Sequence, residues 1–275
     1  MLNVLWWLIT VEAIGLAAFP LTFYLLRRLP DRGFSVSKPL GMLVLGYAAW
    51  ILGVLHLVPS VRLSLIAMLL VLAAVSATIV IKKRDELRAF LWAERRTLIL
   101  SEAIFLVFLV GWAVFRAYDP AIDHTEQPMD FAFLNASIES STGQPEDPWL
   151  RGEPISYYYF GYWMMGGVSE LSGVPSNFSY NLAMALIPAM AAMGVFGLVV
   201  AMVRSERARW GYAAAAGIAA GVVLGVAGNL EGVLEFMRSN AIGGQGFYDW
   251  IRIDGLSGPA EVPSDSWVPQ DFWWW

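Results

Sequence analysis

The sequence predicts an all-α integral membrane protein with about six transmembrane helices, plus two interfacial amphipathic helices in a long external loop. Three observations lead to this fold class. Of the 275 residues, 57% are hydrophobic and only 15% are charged, whereas a soluble domain carries roughly 25% charged residues. Several apolar runs reach the ~20 residues that cross a hydrocarbon core. Finally, basic and acidic residues concentrate in different loops.

Six apolar segments are long enough to be spans. In chain order, we predict them at residues 2–26, 39–58, 61–81, 98–115, 178–203 and 210–227. The first segment is too long for a signal peptide and lacks a basic leader, which favours a retained span. In the last segment, small residues recur every four positions at Ala213, Gly217, Gly221 and Gly225. This spacing predicts a face that another helix approaches closely.

The distribution of charge predicts the orientation of these spans. About 13 of the 18 Lys and Arg residues follow spans one, three and five, and about 16 of the 23 acidic residues lie in the long loop and the tail. Cytoplasmic loops carry the excess of Lys and Arg. Six spans with an external N-terminus satisfy this rule at every loop. The long loop and both termini are then extracytoplasmic.

The long polar loop, residues 118–177, is predicted to hold two short helices. Pro128 suits the first turn of a helix, and Phe131, Leu134 and Ile138 recur with helical spacing. The later aromatic segment is too short to span, and a crossing there would move the basic residues after span five outside. We therefore predict two amphipathic helices on the membrane surface, joined by a Gly- and Pro-rich linker.

These features divide the chain into three parts. Residues 1–97 hold three transmembrane helices and a charged cytoplasmic connector. Residues 98–228 hold a span, the loop with its two surface helices, and two further spans. Residues 229–275 form an extracytoplasmic tail rich in Gly and Trp. A chain end is normally polar, whereas this one stops on three tryptophans, so we expect the N-terminal part of a longer protein.

Three motifs carry a family resemblance. HTEQPMDFAFLNA (124–136), EDPWLRGEPISYYYFGYW (146–163) and DFWWW (271–275) together resemble the YYY-type membrane proteins, a family of large multi-span proteins of bacteria and archaea with uncharacterised function. The resemblance runs from about the fourth span to the end of the chain. It implies a prokaryotic cell membrane and a missing C-terminal part. Gln127 stands where relatives are expected to have a lysine.

That family is in turn similar to the GT-C class of membrane-embedded glycosyltransferases. Their shared layout is a span, an external loop with two surface helices and an early acidic residue, and then the next span; this chain has the same order. The resemblance implies a glycosyltransferase, or a fragment of one, that uses a polyprenyl-phosphate sugar donor at the outer membrane face. Other membrane subunits are further partners that such a fragment would need.

Sugar transfer needs a base for the acceptor hydroxyl, and positive charge or a metal for the leaving phosphate. Asp130 and Glu126 are therefore the candidate catalytic residues, as base or metal ligand. Both could instead be acids that complement the dipole at a helix N-terminus. Arg151 is the basic residue inside the loop and the candidate phosphate contact. Alternatively, it pairs with an acidic neighbour, namely Glu146, Asp147 or Glu153.

The remaining candidates flank these residues. Tyr157, Tyr158 and Tyr159 could line a sugar or polyprenyl channel, or form an interfacial aromatic belt. Asp123 and His124 are candidate ligands for a divalent cation, Mg²⁺ or Mn²⁺. His124 could equally be a surface or capping residue.

Three ionisable residues lie within predicted spans: Glu12, His56 and Glu102. Intramembrane charge usually marks function, but these three are scattered over three spans and outline no ion pathway. Glu12 is the deep one, and we expect it to pair with a neighbouring helix.

Other functions compete with catalysis or are excluded. The main alternative is a non-catalytic scaffold or assembly subunit, or a lipid-binding module, that docks through its aromatic loop and tail. No basic patch is interleaved with aromatics, which excludes nucleic acid as a partner. The absence of cysteine excludes disulfides and thiol catalysis.

Overall fold

The computed structural model describes residues 2–58, 60–123, 126–141, 143–206, 208–226, 231–253 and 258–259. It confirms the all-α membrane class. The described residues form eleven α-helices: α1 (Leu2–Leu25), α2 (Ser37–Val54), α3 (Val61–Lys82), α4 (Arg84–Ala93), α5 (Arg95–Tyr118), α6 (Gln127–Glu139), α7 (Phe160–Ser172), α8 (Ser176–Ser205), α9 (Trp210–Val226), α10 (Glu231–Ser239) and α11 (Gln245–Ile251). A 3₁₀ turn (Phe34–Val36) precedes α2, and strands β1 (Glu146–Asp147) and β2 (Leu150–Pro154) pair in the loop.

Within the described residues, five helices are long and apolar enough to cross a membrane: α1, α2 with its 3₁₀ turn, α3, α5 and α8. The sixth predicted span is α9. Its 17 residues rise about 26 Å, which is less than the ~30 Å of a hydrocarbon core. The predicted charged connector forms α4 and the first turn of α5. The described part of the tail contains α10 and α11.

Successive spans run in opposite directions, so the ends of the helices lie on two sides. We call the side with residues 119–175 the loop side and the side with residues 26–36, 82–94 and 205–209 the basic side. On the basic side, Arg204 donates to both carboxylate oxygens of Glu94, at 2.6 and 3.0 Å. This bidentate pair ties the end of α8 to the α4–α5 junction.

One hydrophobic core joins the spans to the loop. It contains Val11 of α1, Leu45 of α2, Phe105 of α5, Val168 of α7 and Leu186 of α8, all nearly inaccessible to solvent. This core therefore takes side chains from both predicted units, residues 1–97 and 98–228. It fixes the position of the loop relative to the spans.

The loop holds the two predicted helices, α6 and α7, and Pro128 lies in the first turn of α6 as expected. Two details differ from prediction. The expected Gly- and Pro-rich linker contains the antiparallel β1–β2 hairpin. The tyrosine triplet precedes α7, which begins only at Phe160.

Helix α7 is also more deeply packed than a helix lying on a surface. The indole N–H of Trp163 donates to the carbonyl of Gly46 in α2, at 3.0 Å. A Cβ atom at Gly46 would lie 3.0 Å from Met164, and one at Gly167 would lie 3.4 Å from Leu65 of α3. These glycines let α7 wedge against the loop-side ends of α2 and α3.

The small-residue face of α9 packs as predicted. Gly217 faces Phe196 of α8, and Gly221 faces Ala192 of the same helix. Gly225 faces Phe108 of α5. Close approach of helix backbones accounts for this pattern.

We predict that Gly217→Ala destabilises the protein by about 1–3 kcal/mol through overpacking. The new Cβ would lie 2.7 Å from the ring and 3.1 Å from the carbonyl oxygen of Phe196, which is fully buried. Gly211→Ala is the matched control, because no atom lies within 4 Å of its added Cβ. Thermal unfolding in detergent, followed by tryptophan fluorescence, measures both variants. Equal unfolding temperatures for the two would contradict the packing described for α9.

Candidate functional site

The candidate site lies where α6 meets α7 on the loop side. Asp130 is in the first turn of α6, is half-buried, and accepts a hydrogen bond from the hydroxyl of Tyr162 in α7. The Asp130 amide donates to the carbonyl of Glu126 at 2.9 Å. Glu126 occupies the N-cap position, with its side chain exposed and making no capping hydrogen bond. Both predicted catalytic carboxylates are thus at the start of one helix.

Tyr162 was not among the residues that the sequence analysis selected. Burial raises the pKa of its hydroxyl, and the hydrogen bond to Asp130 raises that pKa further. The phenol therefore stays protonated and keeps donating to the carboxylate. This contact orients the Asp130 carboxylate.

Arg116, in the last turn of α5, is the second residue that the sequence analysis missed. It is only 3% exposed. Its guanidinium donates to the carbonyl oxygens of Asp119 and Ala121, the latter at 2.6 Å, and to Oε1 of Gln127 at 3.2 Å. One side chain thereby ties α5, the entry to the loop and the start of α6 together.

The contact with Arg116 also explains the residue at position 127. Gln127 is 6% exposed and accepts a hydrogen bond from the guanidinium. A lysine, which the family resemblance leads us to expect there, could only donate and would place a second cation beside Arg116. Asp119 and Asp123 lie close enough to Arg116 to offset its charge.

Tyr180, near the start of α8, completes the site. It is 4% exposed, and its ring packs edge-on against Phe131 at 5.9 Å. Its hydroxyl lies beside both Asp130 and Arg116, within hydrogen-bonding reach of the Asp130 carboxylate. A second phenol therefore lies next to the carboxylate.

The three tyrosines of the triplet have different surroundings. Tyr157 packs on Phe133 at 5.7 Å and against Tyr158 at 4.1 Å, and it faces the carboxylates of the site. A hydrogen bond with Tyr158 raises the pKa of Tyr157. Tyr158 is 78% exposed. The Tyr159 hydroxyl instead accepts a hydrogen bond from the indole of Trp50 at 2.8 Å, which anchors this residue to α2.

Arg151 lies in a different place. It lines an open cleft of about 860 Å³ between α6 and the β1–β2 hairpin. Four acidic residues line the same cleft: Glu139, Glu146, Asp147 and Glu153. Glu146 accepts a hydrogen bond from the Gly152 amide at 2.6 Å, and Asp147 accepts one from the Trp149 amide at 2.8 Å. Two of the three proposed carboxylate partners of Arg151 thus support the hairpin backbone.

The cleft and the carboxylate site use opposite faces of α6. Each residue of an α-helix turns the side chain by roughly 100°. Asp130 and Phe133 face α7, whereas the cleft is lined by Ala132, Asn135, Ala136 and Glu139. The structure therefore brings Asp130, Glu126 and Tyr157 together, and keeps Arg151 apart from them.

The predicted metal ligands are described only in part. Asp123 is exposed, and His124 lies outside the described residues. Among the residues that the structure does describe, no three His, Cys, Asp or Glu side chains are grouped to hold a metal ion. A metal site at Asp123 and His124 stays a prediction.

Comparison with known proteins identifies the family of this chain. The family model described as "Uncharacterized membrane protein (DUF2298)" matches residues 44–275, which include α5, the loop and α8. No curated protein and no solved structure matches the chain. The resemblance to YYY-type and GT-C proteins thus rests on the sequence motifs alone. The family match covers most of the chain, and the protein accordingly belongs to the DUF2298 family of uncharacterised membrane proteins.

Proposed function

We propose that the protein is a GT-C-like glycosyltransferase that transfers a sugar from a polyprenyl-phosphate donor at the outer face of the membrane. The observation that carries this proposal is the carboxylate of Asp130, which is oriented by Tyr162 at the loop-side ends of the spans. A site at that level of the spans would let a lipid-linked donor and a water-soluble acceptor meet. The order of span, loop with two helices and next span supports the same assignment.

In the proposed reaction, Asp130 is the general base. The acceptor hydroxyl gives its proton to the carboxylate, and its oxygen forms a bond to the anomeric carbon of the sugar. The bond from that carbon to the phosphate oxygen breaks, and the polyprenyl phosphate leaves with the electron pair. Tyr180 is placed to hydrogen-bond the acceptor or the sugar, because its hydroxyl lies beside Asp130.

Arg116 supplies the positive charge for this step. Arg116 is buried and engaged with carbonyl groups, so it acts through its electric field and by positioning α6. A divalent cation would supply further positive charge on the leaving phosphate, and the carboxylate of Glu126 is the kind of oxygen donor that Mg²⁺ or Mn²⁺ prefers. We assign Arg151 no part in the step at Asp130, since its cleft opens on the other face of α6.

A non-catalytic, lipid-binding role is the second candidate. Trp149, Leu150 and Tyr158 are 64%, 60% and 78% exposed on the loop. Aromatic and apolar side chains of this kind favour the headgroup layer of a bilayer. This role would need the exposed apolar side chains and would not need Asp130.

We predict that Asp130→Asn lowers sugar transfer by roughly 10²–10⁴-fold, the usual contribution of a general base. Glu139→Gln is the matched control, because Glu139 lies on the opposite face of the same helix and is exposed. The assay follows a radiolabelled sugar from a polyprenyl-phosphate donor into product in purified membranes. Full activity in a variant that combines Asp130→Asn with Glu126→Gln would exclude the proposed function and favour the lipid-binding role.

We also predict that Tyr162→Phe lowers kcat by roughly 10- to 100-fold, since the variant loses a hydrogen bond to a charged group worth about 1.5–3 kcal/mol. The raised pKa of Tyr162 keeps its phenol neutral beyond its ordinary range. The activity ratio of wild type to variant should therefore stay constant from about pH 6 to about pH 10.5, where a tyrosine of ordinary pKa would be mostly ionised. Tyr212→Phe is the control, because Tyr212 is 70% exposed at the basic-side end of α9, and it should leave kcat unchanged. A ratio that declines towards high pH would show that Tyr162 ionises normally and would contradict the geometry.

A further inference from the structure

A lysine lies inside the group of spanning helices. Lys38 is the second residue of α2, and its side chain is only 3% exposed. Its Nζ lies 2.7 Å from Glu102 of α5 and 3.1 Å from Glu12 of α1. Gly15 of α1 makes room for it, because a Cβ at Gly15 would lie 2.7 Å from Cγ of Lys38. We call Glu12, Lys38 and Glu102 the triad.

The triad corrects one expectation from the sequence and bears out another. The second span was predicted to begin at residue 39, which left Lys38 in a connecting loop; α2 begins at Ser37 instead. Glu12 was expected to pair with a neighbouring helix, and it does so through Lys38 of α2, which also pairs with Glu102. His56, the third intramembrane candidate, is exposed after the end of α2.

The triad lies at depth between the two charged ends of α5. Glu102 is eight residues after Glu94, about 12 Å along the helix, and Glu94 pairs with Arg204 on the basic side. Arg116 on the loop side is a further fourteen residues on, about 21 Å away. The triad is therefore within the apolar zone, where uncompensated charge is costly.

The charges of the triad do not balance when all three groups are ionised. Two carboxylates against one ammonium leave a net charge of −1, in surroundings that include the ring of Phe105 at 4.4 Å from Nζ. Oε1 of Glu12 is buried and has no hydrogen-bond partner among the described residues. Glu12 and Glu102 also lie within hydrogen-bonding reach of each other. One added proton would neutralise the triad and supply the missing donor.

No other charge on the surrounding elements completes this balance. On helices α1, α2, α3, α5, α7 and α8 and in the α1–α2 connection, the other charged residues described are Arg27, Arg28, Asp31, Arg32, Arg62, Lys82, Arg95, Arg96, Arg116, Glu170 and Arg204. Among these described residues, none forms an ion pair with the triad. The acidic residue nearest in sequence to Lys38 is Asp31, which accepts hydrogen bonds from the Ser35 amide and hydroxyl instead.

We propose that the triad is an intramembrane proton-binding site, in which Glu12 and Glu102 share one exchangeable proton beside the ammonium of Lys38. The proton comes from water and returns to water, and its binding changes the net charge of the triad from −1 to 0. This site is separate from Asp130 and does not depend on the glycosyltransferase proposal. A sodium ion in place of the proton is the rival occupant.

Dicyclohexylcarbodiimide tests the proposal, because it modifies protonated carboxyl groups in apolar surroundings. The full chain in detergent micelles is labelled between about pH 6 and about pH 9, and peptide mass spectrometry locates the adduct. We expect labelling at Glu12 or Glu102, which are 29% and 28% exposed, and a fall of roughly tenfold per pH unit above the midpoint. Glu94 is the internal control and should stay unlabelled, since Arg204 donates hydrogen bonds to both of its carboxylate oxygens.

Three variants separate a shared proton from a merely accessible carboxyl group. Glu12→Gln leaves a balanced Glu102–Lys38 pair, so labelling at Glu102 should fall by roughly tenfold; Glu102→Gln is the reciprocal test at Glu12. Lys38→Met removes the cation, so both carboxyl groups should be labelled. Absence of labelling in the wild type, unchanged labelling in both glutamine variants, or protection by sodium chloride but not by potassium chloride would each overturn the proposal.

Discussion

The geometry of the loop depends on one buried guanidinium. Arg116 satisfies the carbonyl groups of Asp119 and Ala121 just where the chain leaves α5, and it also holds Gln127 at the start of α6. Backbone carbonyls that lack partners are costly near the hydrocarbon layer. The arginine removes that cost and sets the direction in which α6 departs. The position of Asp130, one turn into α6, follows from it.

Periodicity and composition predicted the elements of this fold well, because spans and short helices leave a local pattern. Pro128 in the first turn of α6 and the glycine face of α9 are found as expected. Helix ends were less well predicted. The second span was predicted to begin at residue 39, one residue after Lys38, whereas α2 begins at Ser37. Long lysine side chains usually extend towards water, whereas this one points to Glu12 and Glu102.

The partners in the candidate site could not be predicted from local pattern, because they come from distant parts of the chain. Tyr162 reaches Asp130 across 32 positions, and Trp50 reaches Tyr159 across 109. The sequence showed Asp130 and Glu126 as acids near a helix start, but nothing in it showed which residue would donate to them. Arg151 attracted attention as the basic residue of the loop. In the structure, however, the residues of α6 that line the Arg151 cleft lie on the opposite face of the helix from Asp130.

The site and the triad share α5, and the same face of that helix serves both. Fourteen residues separate Glu102 from Arg116, so the two side chains lie roughly 40° apart around the axis. Phe105 and Leu109 fill the stripe between them and are buried in the main core. Arg116, on the loop side, is satisfied by backbone carbonyls and a glutamine. Glu102, at depth, is satisfied by a lysine. A rotation of α5 that improved one set of contacts would break the other, so the two polar clusters together fix the orientation of this helix.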